Sequence, residues 1–187
     1  MPGSKIMIIG AGAMGQGLSE AIAAAGHDVT LVDKTTKQVE RGMRGIEEAM
    51  DREIGRWGLT QADKKAIRSR IHPTADLSQA EDAEIVLEAI PEDLDMKRDL
   101  FEKLDRICPE GTLLITNTGT LSISEIAQAT ERPQKIIGMH FLNPVTRIPL
   151  VEIVKGLRTD EETFRKAVEF AEMLTRSGSP STNIPAT

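Results

Sequence analysis

The sequence has 187 residues, 40% hydrophobic and 28% charged, with a net charge of −6; at roughly 150 residues per domain this is one globular domain or slightly more, neither disordered nor fibrous. No apolar run nears the roughly 20 residues of a membrane helix, and Met1-Pro2-Gly3-Ser4-Lys5 does not open a secretory leader, so neither a membrane partner nor export is expected. A negative chain with four Phe, one Trp and no Tyr lacks the positive potential and stacking platforms of a nucleic-acid binder, and cannot be a dehydrogenase built on a Tyr-x-x-x-Lys pair.

Lys5 to Gly10 is a short apolar run ending in glycine, the pattern of a strand buried on both faces. An Ala- and Leu-rich helix is predicted from about Gly15 to Ala25, stopped by Gly26, and Asp28 to Asp33 reads as a second strand, completing a βαβ unit. Residues 35 to 70 read as helical but broken by Gly42, Gly45, Gly55 and Gly58, which suggests a helical hairpin. A third strand is predicted over Ile85 to Ala89. The helix after it, Leu94 to Ile107, carries Leu100, Phe101, Leu104 and Ile107 at helical spacing. Cys108 is the lone cysteine; it rules out an intrachain disulfide and a multi-cysteine zinc site, so no metal and a cytoplasmic location are expected. Thr112 to Thr116 is a fourth strand.

Ser122 and Glu125 have the spacing of a capping box opening a short helix, as do Thr159 and Glu162 for a helix through Leu174. Between them lie apolar strands at Ile136 to Leu142 and Ile148 to Val154. The connection, bounded by Pro144 and Pro149, is too short for a crossover helix, so the two must run antiparallel. His27 and His72 are expected as exposed loop residues, and residues 177 to 187 as a polar tail.

Gly10-Ala11-Gly12-Ala13-Met14-Gly15 is a G-x-G-x-x-G string between a strand and a helix. The first glycine permits the tight turn, the second lets a pyrophosphate approach the backbone, and the third lets helix and strand pack closely; the helix amides and dipole then face the phosphates. Asp33 ends the second strand, where a carboxylate accepts hydrogen bonds from ribose hydroxyls. The same residue is open to reading as a solvated strand-end acid. A carboxylate there repels a 2′-phosphate and favours NAD over NADP, a preference that Lys34 weakens. The predicted fold class is therefore α/β: a Rossmann, doubly wound, mostly parallel sheet with a helical hairpin after the second strand and a terminal antiparallel pair, occupying residues 1 to 176.

If that pair turns near Thr146, His140 stands opposite Glu152. A carboxylate beside an imidazole fixes its tautomer and makes it a better proton acceptor, as alcohol oxidation requires. On spacing alone an ordinary structural His–Glu contact is an equal reading.

Together these residues carry a specific resemblance. The segment Gly10 to Gly17, the acid Asp33, Glu88-Ala89-Ile90-Pro91-Glu92-Asp93-Leu94, Asn117-Thr118-Gly119-Thr120-Leu121-Ser122-Ile123, and Gly138-Met139-His140-Phe141-Leu142-Asn143-Pro144-Val145 through Leu150-Val151-Glu152 resemble the L-3-hydroxyacyl-CoA dehydrogenases, in order and across nearly the whole chain. The resemblance implies NAD-dependent oxidation of L-3-hydroxyacyl-CoA to 3-oxoacyl-CoA, or the reverse, within fatty acid metabolism and beta-oxidation. His140 would take the proton from the 3-hydroxyl and Glu152 would orient it. Gly10, Gly12, Ala13, Met14, Gly15, Asp33, Glu92, Lys97, Asn117 and Gly119 would hold the cofactor, with Glu92 and Lys97 at the ribose and nicotinamide end. Arg56 and Asn143 would contact the acyl-CoA substrate. Gly119 departs from the family pattern, which has serine there; Thr118 or Thr120 would have to substitute. The family continues into a helical domain absent from this sequence, so a separate or missing helical domain is expected as partner, and a homo-oligomer in the full-length form. Alternatives are an NAD-binding module without catalysis and a β-hydroxyacid dehydrogenase-like enzyme with another substrate; the strand histidine argues against the latter, which relies on a lysine in a helical domain.

Overall fold

The computed structural model describes residues 5–56, 58–148 and 150–176; the tail expected over residues 177 to 187 lies outside them. Seven strands form one sheet: β1 Ile6–Ile9, β2 Val29–Val32, β3 Ile71–Thr74, β4 Ile85–Glu88, β5 Leu113–Thr116, β6 Ile136–Phe141 and β7 Val151–Lys155. Their spatial order is β3-β2-β1-β4-β5-β6-β7. All neighbours are parallel except β6 and β7. The order reverses between β1 and β4, and it is outside the carboxyl ends of the strands at such a reversal that α/β sheets bind ligands.

The central strands β1, β4 and β5 form because they are buried on both faces, with alternate residues feeding opposite layers. Ile6 and Ile8 join Leu31, Leu87, Ile115 and Met139 in the core facing α1 (Ala13–Ala24), α2 (Thr36–Ile54), α3 (Gln61–Ser69) and α6 (Glu161–Arg176). Met7 and Ile9 join Val86, Leu114, Phe101 and Leu104 on the other face, under α4 (Leu94–Ile107) and α5 (Ile123–Ala127). Cys108 is buried in this second layer and unpaired; burial pushes its thiol up to about 11, which keeps it inert.

Four expectations are corrected. Gly42 and Gly45 do not break the first hairpin helix: α2 runs unbroken from Thr36 to Ile54. A Cβ at Gly42 would lie 2.6 Å from the Ala11 Cβ, so Gly42 lets α2 rest directly on the nucleotide turn, while one at Gly45 would lie 2.3 Å from the Gln16 Oε1, so Gly45 makes room for that α1 side chain. His72 belongs to the strand β3 rather than to a loop, although it is exposed, with its Nε2 3.1 Å from the Asp28 carboxylate. Pro73 fits there because β3 is an edge strand. The cap of α6 is Asp160, whose carboxylate accepts from the Thr163 amide at 2.7 Å. Thr159 instead donates its hydroxyl to the Ile136 carbonyl at 2.7 Å and accepts from the Gly156 amide at 2.9 Å, tying the helix entry to β6. Ser122 does cap α5, accepting from the Glu125 amide. The last strand begins three residues later than expected, at Val151.

Glu20, half-buried on α1, has its carboxyl pushed up to about 7 by burial and by Glu53, with Arg52 pulling it partly back. Its native pKa exceeds its unfolded value, so it favours folding at acid pH and loses that contribution as pH rises through about 7. Glu20→Gln is therefore expected to stabilise the fold by about 1 kcal/mol at about pH 8, after solvent screening, and by progressively less as pH falls into the ordinary carboxylate range. Urea midpoints measured across that range check it.

Candidate active site

The nucleotide turn follows β1. Gly10 has φ +110°, a left-handed conformation that disfavours a side chain, and a Cβ there would lie 2.5 Å from the Ala89 carbonyl oxygen. Its amide donates to Val32 O at 2.8 Å, and the Ala89 amide donates to Ile9 O at 2.8 Å, so the turn is bound into both neighbouring strands. A Cβ on Gly15 would come within 1.7 Å of the Gly10 oxygen, which is how closely α1 sits on the turn. At Gly12 no atom lies within 4 Å of a Cβ position, leaving the backbone open to a ligand. Asp33 Oδ2 accepts from the Ala11 amide at 2.8 Å and Oδ1 from the Lys34 amide at 2.7 Å, so the acid is aimed at the turn rather than loose in solvent.

A cleft of about 800 Å³ runs over this turn, lined among others by Gly10, Gly12, Ala13, Met14 and Asp33. Its far wall is Ala89, Ile90 and Pro91 with Met96 and Lys103 of α4. Of this helix the sequence pointed only to Lys97 and not to Met96 or Lys103, whose only trace is that the helix begins just after the wall-forming segment. The open backbone at Gly12, the helix N-terminus and the fixed carboxylate fit the pyrophosphate and ribose of a dinucleotide.

Beyond Pro91 the cleft gives way to a polar cluster. Glu92 Oε1 accepts from the Thr118 hydroxyl, from the Thr120 hydroxyl at 2.9 Å, and from the Gly119 and Thr120 amides at 3.3 Å. Both threonine hydroxyls are thereby committed to Glu92, so neither is placed to replace the serine hydroxyl missing at Gly119. These bonds hold the Glu92 carboxyl below its usual range against the opposing effect of partial burial. Lys97 does not reach the surface of the cleft. It is 0% exposed, and its ammonium donates to Glu88 Oε1 and Oε2 at 2.7 and 2.9 Å and to the Asn117 carbonyl at 2.9 Å. Any effect of Lys97 on a bound cofactor must pass through those partners. The Asn117 side chain accepts from the Phe141 amide at 3.3 Å, joining this cluster to the strand of the histidine.

His140 and Glu152 are direct cross-strand partners of β6 and β7, because Met139 and Phe141 point into the core on either side and leave His140 on the opposite face. Nδ1 lies 3.1 Å from Glu152 Oε2. A carboxylate only accepts, so Nδ1 carries the proton and Nε2 keeps a free lone pair. The ring is 34% exposed, and its Nε2 faces Gly119: a Cβ there would stand 3.0 Å from it. The site can thus hold a dinucleotide and present an oriented proton acceptor at its polar end.

Asn143 is exposed in the β6–β7 connection, which packs on α1 through Val145, 3.6 Å from the Cβ position of Gly17. Arg56 is exposed just past α2. Lys64 and Arg68, across the hairpin, are paired with Asp51 and Glu47 at 2.6 and 2.8 Å, so their charges are spent within the hairpin. Among the described residues no group of three or more His, Cys, Asp or Glu could hold a metal ion, and no helix is long and apolar enough to cross a membrane.

Residues 5–179 match the family described as "3-hydroxyacyl-CoA dehydrogenase, NAD binding domain". The chain is 39% identical over 181 residues to the probable 3-hydroxybutyryl-CoA dehydrogenase of Bacillus subtilis, covering 97% of this chain and 63% of that one. Its fold superposes on M. tuberculosis FadB2 with a TM-score of 0.90 at 33% identity, covering 92% and 61% of the two chains. For the (S)-3-hydroxybutyryl-CoA dehydrogenase PaaH1 of Ralstonia eutropha the values are 0.88, 34%, 91% and 60%. The chain spans 61 to 63% of the length of the first curated relatives it matches. By sequence and by structure, this chain belongs to the 3-hydroxyacyl-CoA dehydrogenase family and carries its NAD-binding domain.

Proposed function

We propose that this chain is the NAD-binding and proton-accepting part of an enzyme interconverting L-3-hydroxyacyl-CoA and 3-oxoacyl-CoA, and that a helical domain is needed for full activity. The observation that carries the reading is the His140–Glu152 pair, with Nδ1 tied to the carboxylate and Nε2 free beside Gly119. NAD, when bound, supplies the hydride acceptor. Gly10, Gly12, Ala13, Met14 and Gly15 cradle its pyrophosphate and Asp33 its ribose, while Glu92, Asn117 and Gly119 stand at the nicotinamide end. His140 Nε2 takes the proton of the 3-hydroxyl, and Glu152 holds the ring in the accepting tautomer and stabilises the imidazolium that results. In reduction the same nitrogen returns the proton.

Arg56 and Asn143 are assigned to the acyl-CoA, Arg56 through its exposed charge at the hairpin tip and Asn143 through its place just after β6. Residues 1–176 act as one dinucleotide-binding domain. A homo-oligomeric full-length form, a role in beta-oxidation and a cytoplasmic location belong to the same proposal, the last supported by the lone, unpaired Cys108.

The test is to supply acetoacetyl-CoA and NADH to the protein together with its helical domain and to follow NADH loss by absorbance. Turnover dependent on that domain is the expected result. NADH binding without turnover would favour the second reading, a cofactor-holding module, which Gly119 supports because it leaves the reacting oxygen without the hydroxyl donor that a serine would add to His140. Gly119→Ser should separate the two. Its Cβ displaces the His140 ring by only a few tenths of an ångström, and the restored hydroxyl is expected to raise turnover by roughly tenfold to a hundredfold. Gly119→Ala, with the same bulk and no donor, should give no gain.

A further inference from the structure

Beneath the polar end of the site Lys97 is buried against Glu88, a carboxylate to which no role is assigned. Glu88 ends β4, and its carboxylate is 0% exposed. It accepts from Lys97 twice, from the Thr116 hydroxyl at 2.7 Å and from the Ile90 amide at 2.7 Å. Lys97, one turn into α4, spends its third proton on the Asn117 carbonyl and lies 3.6 Å from Glu92 Oε2. The pair therefore joins the ends of β4 and β5 to the start of α4, directly under the segment that runs from Asn117 to Thr120.

Burying two charges is costly, and an apolar pair of similar volume commonly serves stability as well or better. Here the cation also reaches a backbone carbonyl and a second carboxylate. We propose that Glu88 and Lys97 are positioning residues for the nicotinamide half of the cofactor site: Glu88 fixes the Lys97 ammonium, and Lys97 in turn fixes the Asn117 carbonyl and the Glu92 carboxylate that gathers Thr118, Gly119 and Thr120. This rests on the reading that the nicotinamide end of NAD lies over that segment. Remove the Glu88 charge and Lys97 keeps only Glu92 as a counter-ion. Glu92 is drawn inward and releases the threonines, so the floor of the nicotinamide end loosens while the glycine turn, held by the bond from the Gly10 amide to Val32 O and braced by that from the Ala89 amide to Ile9 O, keeps its shape.

The experiment compares NADH with ADP, which shares the adenosine and the pyrophosphate but lacks the nicotinamide riboside, by calorimetry on the chain and on Glu88→Gln. The expected result is that Glu88→Gln weakens NADH by roughly tenfold, as loss of one charged tether would, and changes ADP by less than about twofold. The double variant Glu88→Gln/Lys97→Met removes both charges and guards against loss of fold, which thermal melting monitors. It should melt near the parent temperature yet remain weak for NADH, because the Asn117 carbonyl and Glu92 have lost their tether. Recovery of NADH affinity in the double variant, or equal losses of NADH and ADP in Glu88→Gln, would overturn the proposal and leave the pair a structural one. If the parent chain itself binds NADH no better than ADP, the nicotinamide reading falls and this proposal falls with it. A parent preference for NADH that survives both substitutions overturns this proposal alone.

Discussion

Replacing His140 with alanine is expected to lower acetoacetyl-CoA reduction by roughly a thousandfold in the protein supplied with its helical domain, while leaving NADH affinity within about twofold of the parent. The asymmetry follows from the layout. His140 sits on β6, at the polar end of the site, and does not line the cleft over the glycine turn. Its loss removes the group that returns the proton in reduction and no cofactor contact of the adenosine half. Glu152→Gln should cost less, roughly tenfold to a hundredfold, because an amide oxygen still accepts from Nδ1 but no longer offsets the charge of the imidazolium. Stopped-flow reduction with a parallel NADH titration separates the two effects. A His140→Ala protein that turns over at the parent rate would end the proposed chemistry.

The second large effect concerns the turn. Gly12→Ala and Gly15→Ala are both expected to abolish measurable NADH binding, a loss of at least roughly a hundredfold, for different physical reasons. A Cβ added at Gly12 meets no protein atom within 4 Å, so it occupies only the space left for the pyrophosphate. The melting temperature should stay that of the parent. A carbon added at Gly15 would lie 1.7 Å from the Gly10 oxygen, so α1 or the turn must move. There the binding loss should come with a destabilisation of roughly 1–3 kcal/mol. Differential scanning fluorimetry beside NADH titration distinguishes them. A Gly12→Ala protein that binds normally would mean the ligand does not cross the turn where the open backbone lies.

The parts of the fold legible in the sequence were those that bury two faces. Ile6–Ile9, Ile85–Glu88 and Leu113–Thr116 are continuous apolar runs because helices cover both sides of them. The edge strand Ile71–Thr74 escaped because Ile-His-Pro-Thr has one buried residue and a proline, which at an edge costs no ladder bond. The His140–Glu152 register was legible because an antiparallel pair is fixed by its turn, and counting outward from Thr146 brings those two residues together. What stayed hidden were three-dimensional allocations of hydrogen bonds. Nothing in the string Glu-Asp-Leu-Asp-Met-Lys shows that Lys97 points inward with every proton engaged, or that Thr118 and Thr120 are both claimed by Glu92. Nor does it show that Gly42 and Gly45 are spacers, since a glycine in a helix reads as a break until the neighbour it admits is known.

Those two spacers have a consequence for engineering. The rod from Thr36 to Ile54 touches the coenzyme loop midway along its length and ends near the arginine assigned to the acyl carrier. Grafting a different hairpin to change substrate choice must therefore keep a bare hydrogen at position 42, whereas at position 45 the flexible end of Gln16 can give way. A library that diversifies position 42 would lose its dinucleotide affinity first, and the defect would be mistaken for a failure of the new pocket.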